Sequence, residues 1–280
     1  MPTQRFPVAE ETAAELAQIH QRLALWSEAA GLPFYATLAY AIEEAQVLSF
    51  SSWTVAPSKK SSRAPFFAVM KMQELVYMLW LRGQQDFGNL HLTPDPAFTA
   101  INLMPTNRRF LGAAEESGRI VALSKQHQRM DQLFALLTLY NWRHGQLVLH
   151  HFGRSARGPK AANAFLTSSI PVARLPGDGH RRWYQWLGDS RCERGGYYTE
   201  IQIWDDRRIR PPHLDFAAED PIGFLQFLGN AMNVEVHDWT DDAGPNDPIG
   251  CVKIVAGRQK LTIMARKWNS RDWNPFNEIK

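Results

Sequence analysis

The chain has 280 residues, of which 45% are hydrophobic and 21% charged, and a formal net charge of +3. This is the composition of an ordinary globular protein of one or two domains, and the two cysteines exclude a disulfide framework and a cysteine-based zinc cluster. No apolar run is long enough to span a bilayer, and the N-terminus lacks the pattern of a signal peptide. We therefore expect a cytoplasmic protein that does not bind membranes.

The first half of the chain is predicted to be mainly helical. Apolar residues recur at three- and four-residue spacing, and Pro33 and Pro65 are placed to open two of the predicted helices. One of these is the Met-rich stretch 65–82, which is apolar on most sides. The clearest helix ends at Gly145, and alternation predicts a strand at Val47–Val55.

The second half is predicted to carry an antiparallel sheet with one covering helix. Alternation over residues 197–204 predicts a strand, and Asp220 and Pro221 are a capping residue and a first-turn residue for a helix. A short strand near Val236 and a hairpin around Gly257 follow. The resulting order is β-α-β-β, as in ferredoxin-like or RRM-like modules, although the aromatic residues do not match the RRM signature.

These patterns together predict an α+β fold with two domains. Residues 1–152 would form a mainly helical domain with a few strands. Residues 153–280 would form an antiparallel α+β domain that begins with a basic segment, where prolines and arginines are frequent.

A cluster of arginine and aromatic residues motivates the leading functional hypothesis, a nucleic-acid-binding protein. Arginine pairs with phosphates, and aromatic rings stack on unpaired bases. DNA and RNA are not distinguished by this pattern. The predicted contact residues are Arg154, Arg157, Lys160, Arg181, Arg182, Trp183, Tyr184, Trp186, Arg207, Arg208 and Arg210.

A Mg²⁺-dependent nuclease is the first alternative. Asp189 in a loop, followed by Glu200 and Gln202 on one face of a strand, approaches the layout in which two carboxylates hold Mg²⁺. Gln202 occupies the position where such sites carry a lysine, which weakens the match. Outside this alternative we expect no cofactor.

The histidines give no ligand pattern that assigns a metal site. Strand alternation would send His150 and His151 to opposite faces, which makes them poor joint ligands. His213 and Asp215 would share one side of an extended segment, a pairing that suits acid–base or metal chemistry.

A protein-interaction or scaffold subunit is the second alternative. It would use the Met-rich helix for a contact with a homo-oligomer or another protein. The motifs of P-loop NTPases, dinucleotide-binding enzymes and serine esterases are absent from the sequence. Whether the protein is an enzyme, and whether its arginines converge, stays open at this level.

Overall fold

The structure, a computed structural model, describes residues 10–41, 47–55, 67–72, 75, 90–91, 112–116, 119–145, 147–177 and 179–279. The chain separates into two compact units, Met1–Gly145 and Gln146–Lys280, which we describe one at a time. Among the described helices, none combines the length and the apolar character that crossing a membrane requires.

The first unit contains a five-stranded antiparallel sheet with strand order β2-β1-β5-β4-β3. Its buried residues come from both the helices and the sheet, including Leu23, Phe34, Val121 and Phe134. The elements are α1 (Glu10–Ala30), β1 (Phe34–Ala41), β2 (Val47–Val55), β3 (Leu90–His91), β4 (Ala113–Glu116), β5 (Arg119–Ser124) and α2 (Gln128–His144).

The prediction of a helical N-terminal half is therefore wrong. The segment after Pro33, predicted as a helix, is strand β1, which pairs with β2 on one side and β5 on the other. Phe34, Tyr35 and Thr37 favour a strand, and pairing on both edges decides in favour of it over the weaker helical spacing. Of the predicted helix 65–82, residues 67–72 and 75 are helical, and the rest lies outside the described residues.

A buried ion pair lies within the first unit. Lys71 Nζ donates to Asp131 Oδ2 at 3.2 Å and to the Leu123 carbonyl oxygen at 2.6 Å. Burial raises the pKa of Asp131 from 3.8 to about 6, although the Lys71 ammonium opposes the shift.

The second unit is built on an eight-stranded sheet with strand order β11-β12-β13-β10-β6-β9-β8-β7. Its strands are β6 (Val148–Ser155), β7 (Val172–Gly177), β8 (His180–Gly188), β9 (Gly196–Trp204), β10 (His213–Ala218), β11 (Val236–Asp238), β12 (Gly250–Ala256) and β13 (Gln259–Lys267). Its helices are α3 (Pro159–Asn163), α4 (Pro221–Met232) and two 3₁₀ turns, Trp268–Ser270 and Pro275–Glu278. The predicted domain boundary after residue 152 falls within β6.

This sheet is mixed, which corrects the predicted antiparallel sheet. β6 is parallel to β9, and β10 is parallel to β13. The connection from β10 to β13 includes helix α4, and a crossover of that length allows parallel pairing. Strand β9, the helix after Asp220 and the hairpin around Gly257 lie where the sequence predicts them. Strand β10 lies between β9 and that helix, however, so the predicted β-α-β-β order of a ferredoxin-like or RRM-like module is wrong. Pairing partners, unlike element positions, depend on contacts distant in sequence.

Candidate metal centre

Three neighbouring strands at the centre of the eight-stranded sheet bring two histidines and a glutamate together. His151 lies on β6, Glu200 on β9 and His213 on β10. Gly153 of β6 is in register with Glu200 on one side and with His213 on the other, and His151 precedes Gly153 by two residues. Since side chains two apart on a strand share a face, all three project from the same face of the sheet.

The ligand atoms of these residues converge. His213 Nε2 lies 3.0 Å from Glu200 Oε2 and 3.0 Å from His151 Nε2. His151 Nε2 lies 3.5 Å from Glu200 Oε2. All three side chains are buried, with residue exposures of 3%, 2% and 6% for His151, Glu200 and His213.

These separations match the edges of a metal coordination polyhedron. With metal–ligand bonds of about 2.1 Å, adjacent ligands lie about 3.0 Å apart in an octahedron and about 3.4 Å apart in a tetrahedron. The three observed separations span this interval. A single ion can therefore contact all three atoms from one side. Among the described residues, these three are the group of histidine, cysteine or carboxylate side chains close enough together to share a metal ion.

Gly153 provides the room for the third ligand. The imidazole of His213 lies over it so closely that a β-carbon at position 153 would be 1.9 Å from His213 Cε1 and 2.2 Å from Nε2. No side chain can be accommodated there unless His213 moves. The glycine is thus required by the close approach of a neighbouring ring.

His150 supports His151 from the same side of the sheet, which corrects the prediction that the two rings point to opposite faces. The β6–β10 register shifts between Asp215 and Phe216, so that His150 is the extra residue of a bulge. The Nδ1 atoms of His150 and His151 are consequently 2.8 Å apart. Alternation failed here because a bulge interrupts the period of two.

The bulge also permits the tautomer that a metal ligand needs. Burial lowers the pKa of His150 well below its usual value, and the Arg266 charge lowers it further, so this ring is neutral. When His150 carries its proton on Nε2, 3.5 Å from the Trp273 carbonyl oxygen, its Nδ1 accepts from His151 Nδ1–H. The lone pair of His151 Nε2 then faces Glu200 and His213.

Two hydrogen bonds hold the Glu200 carboxylate in place. The Tyr184 hydroxyl donates to Oε1 at 2.5 Å, and Gln202 Nε2 donates to Oε2 at 2.8 Å. Burial favours the protonated acid, but the neighbouring imidazoles of His151 and His213 outweigh it and hold the pKa of Glu200 well below its usual range. The carboxylate is therefore an anion inside the protein.

A buried ion pair borders the site on the β10 side. Arg266 makes two hydrogen bonds to Asp215, Nε to Oδ1 at 3.0 Å and Nη2 to Oδ2 at 2.7 Å. Asp215 Oδ2 is 3.7 Å from His151 Nδ1, too far for a hydrogen bond. Asp215 is thus already neutralised by Arg266, which leaves Glu200 as the anionic ligand.

The face of the triad opens into a cavity of about 440 Å³. Three tryptophans, Trp204, Trp239 and Trp273, line it together with the triad residues and Tyr184. Such a volume is in the usual range for sites that hold small molecules. The arrangement therefore places the three potential ligand atoms on the wall of a space large enough for a small molecule.

The residues of the predicted nuclease site are not brought together. Asp189 pairs with Arg191, and its backbone N–H donates to the Gly195 carbonyl oxygen in the β8–β9 turn. Glu200 lies five residues after Gly195, which is a distance of roughly 16 Å at the rise of a strand. Glu200 and Gln202 do share a face, where Gln202 orients the carboxylate.

The predicted arginine and aromatic residues are divided between the two faces and one end of the sheet. Tyr184 and Arg182 face the cavity, whereas Trp183 packs on the opposite face against Ile201 and Ile203. Tyr184 is 2% exposed, so its ring has no face free for a base. Trp186 contacts Arg194 and Tyr198. The guanidinium of Arg154 lies against the rings of Phe152 and Phe165. Arg210 pairs with Asp206 and lies over the ring of Trp204. Arg157, Lys160, Arg181, Arg207 and Arg208 are exposed.

His151 was the ligand that sequence reasoning missed. The sequence offers one usable signal, a histidine two residues before a glycine near the end of a buried strand, His151-Phe152-Gly153. That spacing puts the imidazole beside a position without a side chain, where a second ring can approach. The pairing of β6 with β9 and β10 is needed to give the signal meaning.

Comparison with known proteins does not assign a function to this chain. No protein-family model and no curated protein sequence matches the chain. Among solved structures, a triple-substitution variant of 4-hydroxymandelate synthase from Streptomyces coelicolor matches with 13% sequence identity and a TM-score of 0.30. The match covers 47% of this chain and 51% of that protein. A likeness of this extent carries no argument about activity, so the case for a function depends on the site itself.

Proposed function

We propose that the second unit is a metal-dependent enzyme domain. It binds one divalent transition-metal ion through His151 Nε2, Glu200 Oε2 and His213 Nε2, and it acts on a small molecule held in the adjoining cavity. The observation that carries the proposal is the convergence of these three atoms at 3.0–3.5 Å on the wall of that cavity.

The charge of Glu200 supports the proposal independently of the distances. A buried carboxylate is costly unless a cation or several hydrogen bonds compensate it. Within the described part of the chain, no lysine or arginine nitrogen lies within 4.0 Å of Glu200, and the nitrogens at that range belong to two imidazoles, at 3.5 Å (His151) and 3.0 Å (His213). A divalent ion at their meeting point would add positive charge to the two hydrogen bonds, from Tyr184 and Gln202, that already hold this carboxylate.

Iron(II) is the ion that this donor set favours. Two histidines and one carboxylate on one face, with open positions opposite, are the ligands of non-haem iron(II) oxygenases. Two of the three separations equal the edge of an octahedron. Zinc, which also uses two histidines and a glutamate in hydrolases, is the competing ion. Iron, when bound, would supply redox and oxygen chemistry. The residues of this chain would hold the ion, orient its ligands and form the walls of the substrate cavity.

A metal titration tests the proposal. Protein freed of metal with a chelator is titrated anaerobically with Fe²⁺, and separately with Co²⁺ and Zn²⁺, by calorimetry. We expect one ion per chain, and Glu200→Gln, which keeps the shape but removes the charge, should weaken binding at least about 100-fold. Glu193→Gln, an exposed glutamate in the β8–β9 turn, is the matched control. Equal affinity in the Glu200 variant and the wild type would refute the assignment.

Nucleic-acid binding is retained as a second proposed function because the exposed basic residues gather at one end of the sheet. Arg157 and Lys160 follow the end of β6, Arg181 is near the start of β8, and Arg207 and Arg208 follow the end of β9. These strand ends are adjacent, since His180 pairs with Trp204 and Ser155 with Gln202. Binding to labelled DNA and RNA across a salt series tests it. A steep salt dependence that is lost in Arg181→Glu/Arg207→Glu/Arg208→Glu supports the proposal, and no binding at low salt rejects it.

A further inference from the structure

The cavity beside the triad contains an arginine that has no carboxylate within 4.0 Å among the described residues. Four cationic side chains line the cavity: Arg182, Arg210, Lys253 and Arg266. Arg210 pairs with Asp206 and Arg266 with Asp215. Lys253 is exposed, whereas Arg182 is half-buried. Among the described residues, no carboxylate lies within ion-pair distance of Arg182.

The guanidinium of Arg182 also has hydrogen-bonding capacity to spare. Nη1 donates to the Tyr184 hydroxyl at 3.4 Å, and Nη2 donates to the Pro176 carbonyl oxygen at 3.2 Å. Nε is buried and has no partner among the described residues. Since a guanidinium has five N–H donors, a ligand in the cavity can still accept from this group.

The position of Arg182 relates it directly to the triad. The Tyr184 hydroxyl lies between them, donating to Glu200 and accepting from Arg182. Arg182 is therefore separated from a metal ligand by two hydrogen bonds, a distance that one small molecule can span. Its neighbour in register, Gln202, also donates to Glu200.

The remaining walls define the rest of the ligand. Acidic and basic side chains are equal in number around the cavity, four of each, so a divalent ion at the triad makes the site net positive. The large apolar walls are three tryptophans, which suit a flat, apolar body. An anion on Arg182 would thus be attracted by the metal charge as well as by the guanidinium.

We propose that Arg182 is the anchor for the carboxylate of the substrate, and that the substrate is a small organic acid with a flat apolar body that extends along the tryptophans toward the triad. The direction of the substrate, with its apolar body toward the triad, rests on the proposed metal-dependent function. The pairing of a carboxylate with Arg182 does not need the metal. Planar carboxylates and guanidinium groups form paired hydrogen bonds, which a phosphate can also accept but a neutral amide cannot reproduce.

The test is a binding experiment with defined probes. Benzoate, phenylacetate and indole-3-acetate are titrated into the full-length protein loaded with Zn²⁺, by calorimetry and tryptophan fluorescence. Phenylacetamide and inorganic phosphate serve as the neutral and the non-carboxylate comparisons. We expect at least one carboxylate to bind, phenylacetamide to bind at least about tenfold more weakly than phenylacetate, and phosphate to bind weakly because it lacks the apolar body.

Substitution of the anchor separates a specific role from a structural one. Arg182→Gln should weaken carboxylate binding at least about tenfold and remove the preference over the amide, while its affinity for Zn²⁺ stays that of the wild type. Arg174→Gln is the matched control, because Arg174 is exposed and pairs in register with Trp183, on the opposite face of the sheet. Equal carboxylate affinity in the two variants, phosphate binding as tight as that of the acids, or no binding of any carboxylate would overturn the proposal.

Repeating the titration with metal-free protein distinguishes this inference from the proposed function. Arg182-dependent carboxylate binding without any metal binding would reject the metal centre and keep the anchor. Metal binding that is sensitive to Glu200→Gln, without an effect of Arg182→Gln on the acids, would keep the metal centre and reject the anchor.

Discussion

Substitution of Gly153 by alanine tests whether the packing of the sheet creates the metal centre. The new β-carbon would be 1.9 Å from His213 Cε1 and 2.2 Å from Nε2, where non-bonded carbon atoms need about 3.5 Å. The ring must therefore move by about 1.5 Å. Metal–ligand distances tolerate only about 0.2 Å, so His213 is lost as a ligand and we expect metal affinity to fall at least about 100-fold.

The assay is calorimetric titration with Co²⁺ and Zn²⁺, run only on variants whose circular dichroism and cooperative unfolding show that they are folded. Gly158→Ala is the control, since a β-carbon there meets no atom within 4 Å. The alanine at 153 should also destabilise the fold by about 1–3 kcal/mol, and His213→Ala in the same chain should relieve that cost. Wild-type metal affinity in Gly153→Ala would refute the reasoning.

Three further predictions concern groups around the site and the other unit. Tyr184→Phe removes the hydrogen bond to Glu200, so metal affinity should fall about tenfold, as read by the same titration; an unchanged affinity would show that Tyr184 does not orient the ligand. Arg266→Gln leaves Asp215 buried without its cation and should cost about 3–5 kcal/mol in urea unfolding, most of it recovered by adding Asp215→Asn; a loss below about 1 kcal/mol would contradict this. Because burial raises the pKa of Asp131 to about 6 in the folded state, the native protein holds a proton that the unfolded chain releases, and this contribution to stability decreases between pH 4 and pH 6. Asp131→Asn should flatten that part of the stability–pH profile by up to about 3 kcal/mol, and an identical slope in variant and wild type would disprove it.

Much of the second unit could be predicted from local pattern. Alternation marks the strand that carries Glu200, and the capping residues mark helix α4. The spacing of His213 and Asp215 correctly indicates that both side chains share one side. These features depend on residues that are close in sequence, where period and capping chemistry are informative.

The metal centre itself could not be predicted because it depends on strand order. His151, Glu200 and His213 meet only because β6 lies between β9 and β10, pairings that join segments up to about 60 residues apart. A bulge at His150 then defeats the rule that adjacent residues face opposite ways. Pro33 misled for a related reason, since pairing of β1 with two neighbours overrode a helical spacing.

The most direct test of the metal centre is a crystal structure of the protein with Fe²⁺, or with Co²⁺ in its place, recorded on both sides of the metal's X-ray absorption edge. The account predicts one anomalous peak per chain, within about 2.3 Å of His151 Nε2, Glu200 Oε2 and His213 Nε2 and bordering the cavity. A strong anomalous peak elsewhere would contradict it. So would a crystal soaked in excess metal that shows only a water, or a direct hydrogen bond, between the two imidazoles.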